Sequence, residues 1–314
     1  MSERTVLALV PPLGEPAAQG RLRAGQTLEQ RRRYRLVEVI GEGGMGTIWR
    51  AFDEALEREV AIKFLKADVP ADYRRRFRRE ARLGASFDHP NLVRVLDAGA
   101  RSRDGDEWMA MDLLAGHDLG ALIETHGRLG VPVLLDGFRQ ALAALAHVHD
   151  RRVIHRDVKP FNLFLSRSPA RSGFVLKLID FGICRNLAVP EPADVQLVGD
   201  PRYMAPEQAT LGVPLDGRAD LYALGLTLVQ AATGRHPFEA WFSAPVSELL
   251  RAHRRGLPWR PSDALPGGLS RGFGEVFDEV VARACAVDPG ARYPDAQAML
   301  EGLEALARAA RHGA

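Results

Sequence analysis

The sequence predicts an α+β fold of two lobes, a small antiparallel β lobe with one helix leading into a larger α-helical lobe. Strand-like runs rich in β-branched and aromatic residues fill the first third of the 314 residues. One charged helix interrupts them, and after Gly116 the apolar residues recur at helical spacing instead. A crevice between two such lobes is the natural place for a ligand.

Residues 1–32 are rich in Pro, Gly, Ala and Arg without a sustained period, and read as a disordered or loosely ordered tail. The folded domain is then 33–310, with 33–114 as the N-lobe and 115–310 as the C-lobe. Tyr34–Ile40 alternates as a strand, and the run Gly41–Gly46 (GEGGMG) breaks it. Thr47–Phe52 and Glu59–Leu65 are two further strands, Asp72–Ser86 is a charged helix, and Val93–Asp97 and Glu107–Leu113 complete the β lobe. In the second lobe Leu134, Phe138, Ala141, Leu142, Leu145 and Val148 form one apolar helical stripe. Ala219–Ala232 is apolar nearly all round, as expected of a helix at a domain's centre. Phe273–Ala286 and Ala296–Ala310 are helical again, and no internal repeat or low-complexity block is present.

Composition narrows the function. With 42 Lys+Arg against 40 Asp+Glu the net charge is +2, which argues against a dedicated nucleic-acid binder. The 46% hydrophobic content is ample for a core. Lys63, Lys66, Lys159 and Lys177 are the four lysines, leaving 38 arginines among the 42 basic residues. Coding bias accounts for the imbalance, and it makes a lysine inside a motif stand out. Cys184 and Cys285 lie far apart, so there is no zinc knuckle, redox pair or disulfide framework. Val6–Val10 is too short for a signal-peptide core, Arg31–Arg33 precedes none, and nothing approaches a membrane span. A cytoplasmic location is expected, with any input arriving through a partner or the N-terminal tail.

Four motifs carry chemistry. GEGGMG joins strand to strand, which disfavours the strand–turn–helix of a dinucleotide site. Gly41, Gly43 and Gly46 would let backbone N–H groups approach phosphates; the alternative is an ordinary hairpin turn. Lys63 ends VAIK inside an apolar strand. Either it snorkels to the surface or it meets two anionic partners, a carboxylate and nucleotide phosphates. Glu80, in FRREA on the next helix, is the candidate carboxylate, and otherwise a solvated charge. His155–Asn162 (HRDVKPFN) groups Asp157, Lys159 and Asn162, and Asp180–Gly182 (DFG) follows at a distance that allows a hairpin return. The oxygen ligands in this group suit a hard ion such as Mg²⁺. All four motifs in this order do not arise by chance.

This series resembles the protein kinase family over roughly Tyr34 to Leu306. HRDVKPFN with Lys159 is similar to the Ser/Thr branch, and GEGGMG, HPNLV and PRYMAPEQ are most similar to bacterial eukaryotic-like (Hanks-type) Ser/Thr kinases. The resemblance implies a bilobal protein-kinase-like fold, ATP with Mg²⁺ (or Mn²⁺) as cofactors, and a protein substrate with a Ser/Thr acceptor. It implies that Asp157 accepts the hydroxyl proton, that Lys159 sits by the transferring phosphoryl group, and that Asn162 and Asp180 hold the metal. Lys63, held by Glu80, would contact the α- and β-phosphates. The loop Ile40, Gly41, Glu42, Gly43, Gly44, Met45, Gly46, Thr47 and Ile48 would cover the nucleotide. Ile40, Ile48 and Ala61 would lie above the adenine and Phe164 below it. Met111 is similar to the gatekeeper, Asp112 and Leu114 to the hinge, and Asp118 to the ribose contact. Glu207 of APE would pair with Arg292, and Asp220 belongs to the same scaffold. No nucleic acid or membrane is implied, and a homodimer through the N-lobe is left open.

Two departures stand out. Between Phe181 and Pro201 there is no Ser, Thr or Tyr, so the segment has no phosphoacceptor. Glu191, Asp194 or Asp200 would have to serve as the anionic partner of Arg156, unless all three are solvated loop charges. Activity without phosphorylation of this segment is expected. Asp200 also stands where the family usually has a threonine that bridges the catalytic aspartate and lysine. A carboxylate there would repel Asp157, so Asp200→Thr is expected to raise turnover unless the loop points Asp200 elsewhere. These departures support a competing reading, a nucleotide-binding pseudokinase acting by shape. A small-molecule phosphotransferase is a third reading, disfavoured by APE and by the turn at His236–Phe238.

Overall fold

The computed structural model describes residues 24–25, 27–28, 33–43, 46–66, 68–100, 107–167, 173–187, 198–210 and 212–312. The chain divides into two compact units, one comprising Met1–Asp88, Leu92–His117 and Ser166–Phe174, the other the remainder.

The first unit is built on a six-stranded antiparallel sheet in the order β1-β2-β3-β4-β6-β5. Its strands are β1 (Thr27–Leu28), β2 (Tyr34–Gly43), β3 (Gly46–Asp53), β4 (Arg58–Leu65), β5 (Val95–Ala100) and β6 (Glu107–Asp112). The two-residue period of β4 sends Val60, Ile62 and Phe64 into one core with Tyr34, Leu36, Trp49, Ala51 and Trp108. The alternate residues Ala61, Lys63 and Leu65 therefore share the opposite face. There the helix α1 (Ala71–Ser86) packs, with Phe77, Glu80, Ala81 and Gly84 as its buried stripe. Gly84 allows the close approach: a Cβ at that position would lie 2.4 Å from Val95 Cγ2.

Three details differ from the sequence reading. The glycine run does not end the strand, because the β2–β3 ladder continues through Gly41↔Ile48, Glu42↔Thr47 and Gly43↔Gly46. Residues without side chains interrupt propensity but leave the backbone ladder intact. The strand expected at Val93–Asp97 lies at Val95–Ala100, where pairing with β6 from Val95↔Met111 to Ala100↔Glu107 outweighs the poor β propensity of Ala and Gly. Within the stretch read as a tail, Thr27 and Leu28 pair with Arg35 and Tyr34 as an edge strand.

A short strand β7 (Gly116–Asp118) leads into the second unit, whose helices are α2 (Leu119–His126), α3 (Val131–Asp150), α4 (Arg218–Thr233), α5 (Val246–His253), α6 (Arg271–Ala284) and α7 (Ala296–His312). Thirteen of the sixteen residues of α4 are buried, so this helix is the unit's axis. It packs on α3 and α6, and α7 closes over both of those. The short strands β8 (Val153–Ile154) and β11 (Arg185–Asn186) pair with each other, and β9 (Leu163–Arg167) and β10 (Phe174–Leu178) form a hairpin. The helices α2 and α5, each only eight residues, were not legible from periodicity.

Candidate active site

In the first unit Lys63 Nζ donates to Glu80 at 2.7 Å (Oε1) and 3.0 Å (Oε2). Strand period and helix stripe bring the two together, since Lys63 lies on the α1 face of β4 and Glu80 on the inner face of α1. The lysine side chain retains 27% exposure against 10% for the glutamate, so the pair lies at the edge of the core. Two further cross-strand pairs complete this half. Ile48 lies opposite Lys63, and Ala61 opposite Met111. Met111 packs on the cluster of Leu65, Phe77, Ala81 and Met109. Asp112 N–H donates to the Arg94 carbonyl, and Leu114 is buried. Gly46 is sterically required, because a Cβ there would stand 1.9 Å from the Phe64 carbonyl oxygen. Ile40, Gly41, Glu42 and Gly43 lie on β2 and Thr47 on β3, while Gly44 and Met45 lie outside the described residues.

In the second unit β8 ends at Ile154 and the chain turns through His155–Lys159 into a 3₁₀ turn at Pro160–Asn162. Asp157 is the hub of that turn. Its Oδ2 lies 2.8 Å from Lys159 Nζ and accepts from Asn162 Nδ2 at 2.9 Å, and its Oδ1 accepts the Asp200 N–H at 3.2 Å. Asn162 Nδ2 also donates to the Asp157 carbonyl at 2.7 Å. Burial pushes the Asp157 carboxyl above the usual carboxylate range; Lys159 opposes the shift and the charge of Asp180 adds to it.

Asp180 is tied to the same turn through the backbone, because the Ile179 N–H donates to the Asn162 carbonyl at 3.0 Å. Arg156 and Asp180 both stand at φ 66°, left-handed values that non-glycine residues adopt at a cost. Asp180 Oδ1 accepts the Gly182 N–H, and His155 packs edge-on to Phe181. The His155 ring accepts the Asp157 N–H at Nδ1, which places its proton on Nε2, toward the Ile179 carbonyl at 3.2 Å.

Asp220, in the first turn of α4, fixes the turn from beneath. Its carboxylate accepts the N–H groups of His155 and Arg156, each at 2.8 Å, and meets His149 Nε2 at 2.8 Å. Burial raises this carboxyl, but the hydrogen bonds it accepts, from His149 and from the His155 N–H, outweigh it and hold it below the usual range. Farther out, Glu207 and Arg292 form a buried bidentate pair at 2.6 and 2.7 Å, and Arg292 also donates to the carbonyls of Ala286, Arg218 and Val287. The remaining guanidinium capacity is thus filled inside the protein.

Asp118 is 3% exposed and its carboxylate caps α2 by accepting the Ala121 N–H at 2.8 Å. Asp200 does not aim its charge at Asp157. Arg202 holds its carboxylate through Nε at 2.9 and 3.1 Å and Nη2 at 2.6 Å, and only the Asp200 N–H reaches the aspartate. Arg202, two residues from Asp200, was missed by sequence reasoning although an arginine at that spacing is the obvious counter-charge. Asn91 and Gln140 were missed as well. Asn91 Nδ2 donates to Gln140 Oε1 and the Leu176 carbonyl, and Gln140 accepts the Leu176 N–H, anchoring the hairpin that delivers Asp180. Glu191 and Asp194 lie outside the described residues, and Phe164 is buried on β9.

Comparison with known proteins agrees with this geometry. Residues 34–300 match the family described as protein kinase domain. The chain is 36% identical over 298 residues to the serine/threonine-protein kinase PksC of Streptomyces coelicolor, covering 91% of this chain and 51% of that protein. It is 35% identical over 274 residues to the serine/threonine-protein kinase PrkC of Bacillus subtilis, covering 85% and 39%. It therefore spans about half or less of the length of these curated relatives. The crystal structure of the Mycobacterium tuberculosis PknI kinase domain matches with a TM-score of 0.67 at 29% identity, covering 92% of this chain and all of that one. With this match over most of its length, the chain belongs to the protein kinase domain family.

Proposed function

We propose that this protein transfers the γ-phosphoryl group of ATP to Ser or Thr hydroxyls of protein substrates. The observation that carries the reading is the hydrogen-bonded group Asp157–Lys159–Asn162, with Asn162 buried and the other two half-buried, tied through Ile179 to Asp180. Phosphoryl transfer asks the protein for positioning and charge neutralisation rather than covalent chemistry. Asp157 orients the acceptor hydroxyl and takes up its proton at a carboxylate oxygen. Lys159 neutralises charge on the group in transfer. Lys63, steadied by Glu80, takes the α- and β-phosphates.

The donor set suits Mg²⁺. No cluster of three or more His, Cys, Asp or Glu side chains that could hold a metal occurs among the described residues, so an all-protein cage is absent there. A Mg²⁺ site of the kind that uses one or two carboxylates plus substrate phosphates needs no such cluster. Asn162 directs its amide nitrogen at Asp157, which leaves the amide oxygen for a hard cation beside Asp180. Asn162 and Asp180 would hold the metal, which when bound would supply positive charge against the negative charge that develops in transfer. The turning of the Asp200 carboxylate onto Arg202 supports catalysis over the pseudokinase reading, because the base is not crowded by a second bare charge.

Among the described residues no helix is long and apolar enough to cross a membrane. The test of the reading is label transfer from γ-labelled ATP and Mg²⁺ to dephosphorylated casein and to the protein itself, followed by phosphoamino-acid analysis. Labelled phosphoserine or phosphothreonine supports it; nucleotide binding with no label on either protein overturns it.

A further inference from the structure

We propose that Arg202 is a positioning residue for Asp157: by clamping the Asp200 carboxylate, it lets the 199–203 segment present the base with a backbone N–H and no competing charge. The inference rests on the kinase reading above and deepens it.

The segment is drawn tight against the catalytic turn. Gly199 stands at φ 118°, and a Cβ there would lie 2.8 Å from the Arg156 carbonyl oxygen, so only glycine permits this approach. The next residue, Asp200, gives its N–H to Asp157 Oδ1. A carboxylate on that same residue is within electrostatic reach of Lys159, the ion partner of Asp157. Left alone it would compete for Lys159 and repel Asp157, whose Oδ1 already accepts the N–H of the same residue.

Arg202 prevents this. Its guanidinium grips both Asp200 oxygens and its own N–H donates to Oδ1 at 3.1 Å, so the carboxylate receives four hydrogen bonds from one residue. Burial raises the Asp200 carboxyl, but the bonds and charge of Arg202 outweigh it and keep the group ionised. The clamp is itself braced. The guanidinium lies 5.6 Å from the Phe242 ring centroid, the Tyr203 N–H closes a turn onto the Asp200 carbonyl, and Tyr203 donates to Gln230 on α4. His236 packs edge-on against Tyr203 at 4.9 Å. Bidentate arginine–carboxylate geometry fixes direction as well as charge, which lysine does not reproduce.

The arrangement reverses the expectation that Asp200→Thr raises turnover. That change alone strands an arginine within reach of Asp157, whose charge already influences it. The experiment is a two-residue cycle in the full chain, measuring kcat and KM for ATP with a Ser-containing acceptor peptide. Arg202→Met is expected to lower kcat about tenfold or more, the scale of a displaced proton acceptor, with KM for ATP changed less than about threefold. Asp200→Thr in the Arg202→Met background is expected to restore kcat to within about threefold of the parent protein, because charge and clamp are removed together. Arg202→Lys keeps the charge without the fork and is expected to fall between the parent and Arg202→Met; it serves if the methionine variant does not fold. The proposal is overturned if Arg202→Met and Arg202→Lys retain parental kcat, if the double variant is no faster than Arg202→Met, or if Asp200→Thr alone raises kcat. Each result is a ratio to the parent enzyme, so loss of the kinase reading itself, seen as no label transfer by the parent, is a separate outcome.

Discussion

The Arg156 N–H donates to Asp220 Oδ1 at 2.8 Å, and this bond spans 64 residues to hold a non-glycine residue at φ 66° beside the catalytic turn. The same carboxylate takes the His155 N–H, so both of its oxygens are acceptors for backbone donors. In Asp220→Asn one oxygen becomes an amide nitrogen and faces a donor. Each orphaned buried donor costs about 1–3 kcal/mol. The expected result is a lower urea midpoint together with reduced turnover, since the turn loses its support. Unchanged turnover at reduced stability would separate Asp220 from the geometry of Asp157.

His236 and His253 give the folded state an acid weakness. Burial pushes their pKa values down to about 3 and about 4, with the neighbouring His253 and Arg202 charges adding to the effect at His236. In the unfolded chain a histidine titrates near ~6.5. Both groups therefore contribute fully above that pH, and their contribution is lost as pH falls, between about 6.5 and 4 for His253 and further, toward 3, for His236. The slope is at most about 1.4 kcal/mol per pH unit for each group. Urea midpoints at pH 7.5 and pH 5 are expected to fall further for the parent protein than for His236→Gln, whose amide does not titrate. Equal falls would contradict the assignment.

Gly46 opens β3 where a Cβ would meet the Phe64 carbonyl at 1.9 Å, one residue from Lys63. Gly46→Ala must push β3 away from β4 or break a ladder bond. The expected effect is a rise of about tenfold in KM for ATP with a smaller change in kcat, because the nucleotide cover moves while Asp157 does not. A titration of initial rate against ATP checks it, and an unchanged KM would remove the loop from nucleotide binding.

Much of this was legible in the sequence because it is local. The apolar run Glu59–Leu65 made Lys63 stand out, and the motif series, not periodicity, named Glu80 on the charged helix as its carboxylate. The spacing within HRDVKPFN grouped Asp157, Lys159 and Asn162. What escaped was set by partners far away in the chain or by competition for one group. Asp118 carries a carboxylate that a helix N-terminus claims, and Gln140 gains meaning only from its contacts with Asn91 and Leu176. For Asp200 the sequence left open whether the carboxylate faces Asp157 or the loop points it elsewhere; the nearer arginine captures the side chain and the backbone faces the aspartate. The displaced β5 follows the same rule, since its register belongs to β6 and not to its own sequence.

The stretch from Phe181 to Pro201 holds no hydroxyl side chain, and the Arg156 guanidinium donates to the Ile183 carbonyl at 2.6 Å. Activity is expected to survive phosphatase treatment within about twofold, because no phosphate in that stretch supplies the charge that would order it. Rates before and after treatment, with mass spectrometry of the segment, provide the check. A fall in activity of more than about twofold on phosphatase treatment would contradict it.

Asp157, set by Lys159, Asn162 and the Asp200 N–H, is the group on which the proposed phosphoryl transfer depends. The most direct test is the turnover of Asp157→Asn with ATP, Mg²⁺ and a Ser/Thr acceptor, alongside nucleotide affinity by calorimetry. A loss of kcat of about a hundredfold or more is expected, with affinity for ATP within a few fold of the parent. Turnover comparable to the parent protein would contradict it.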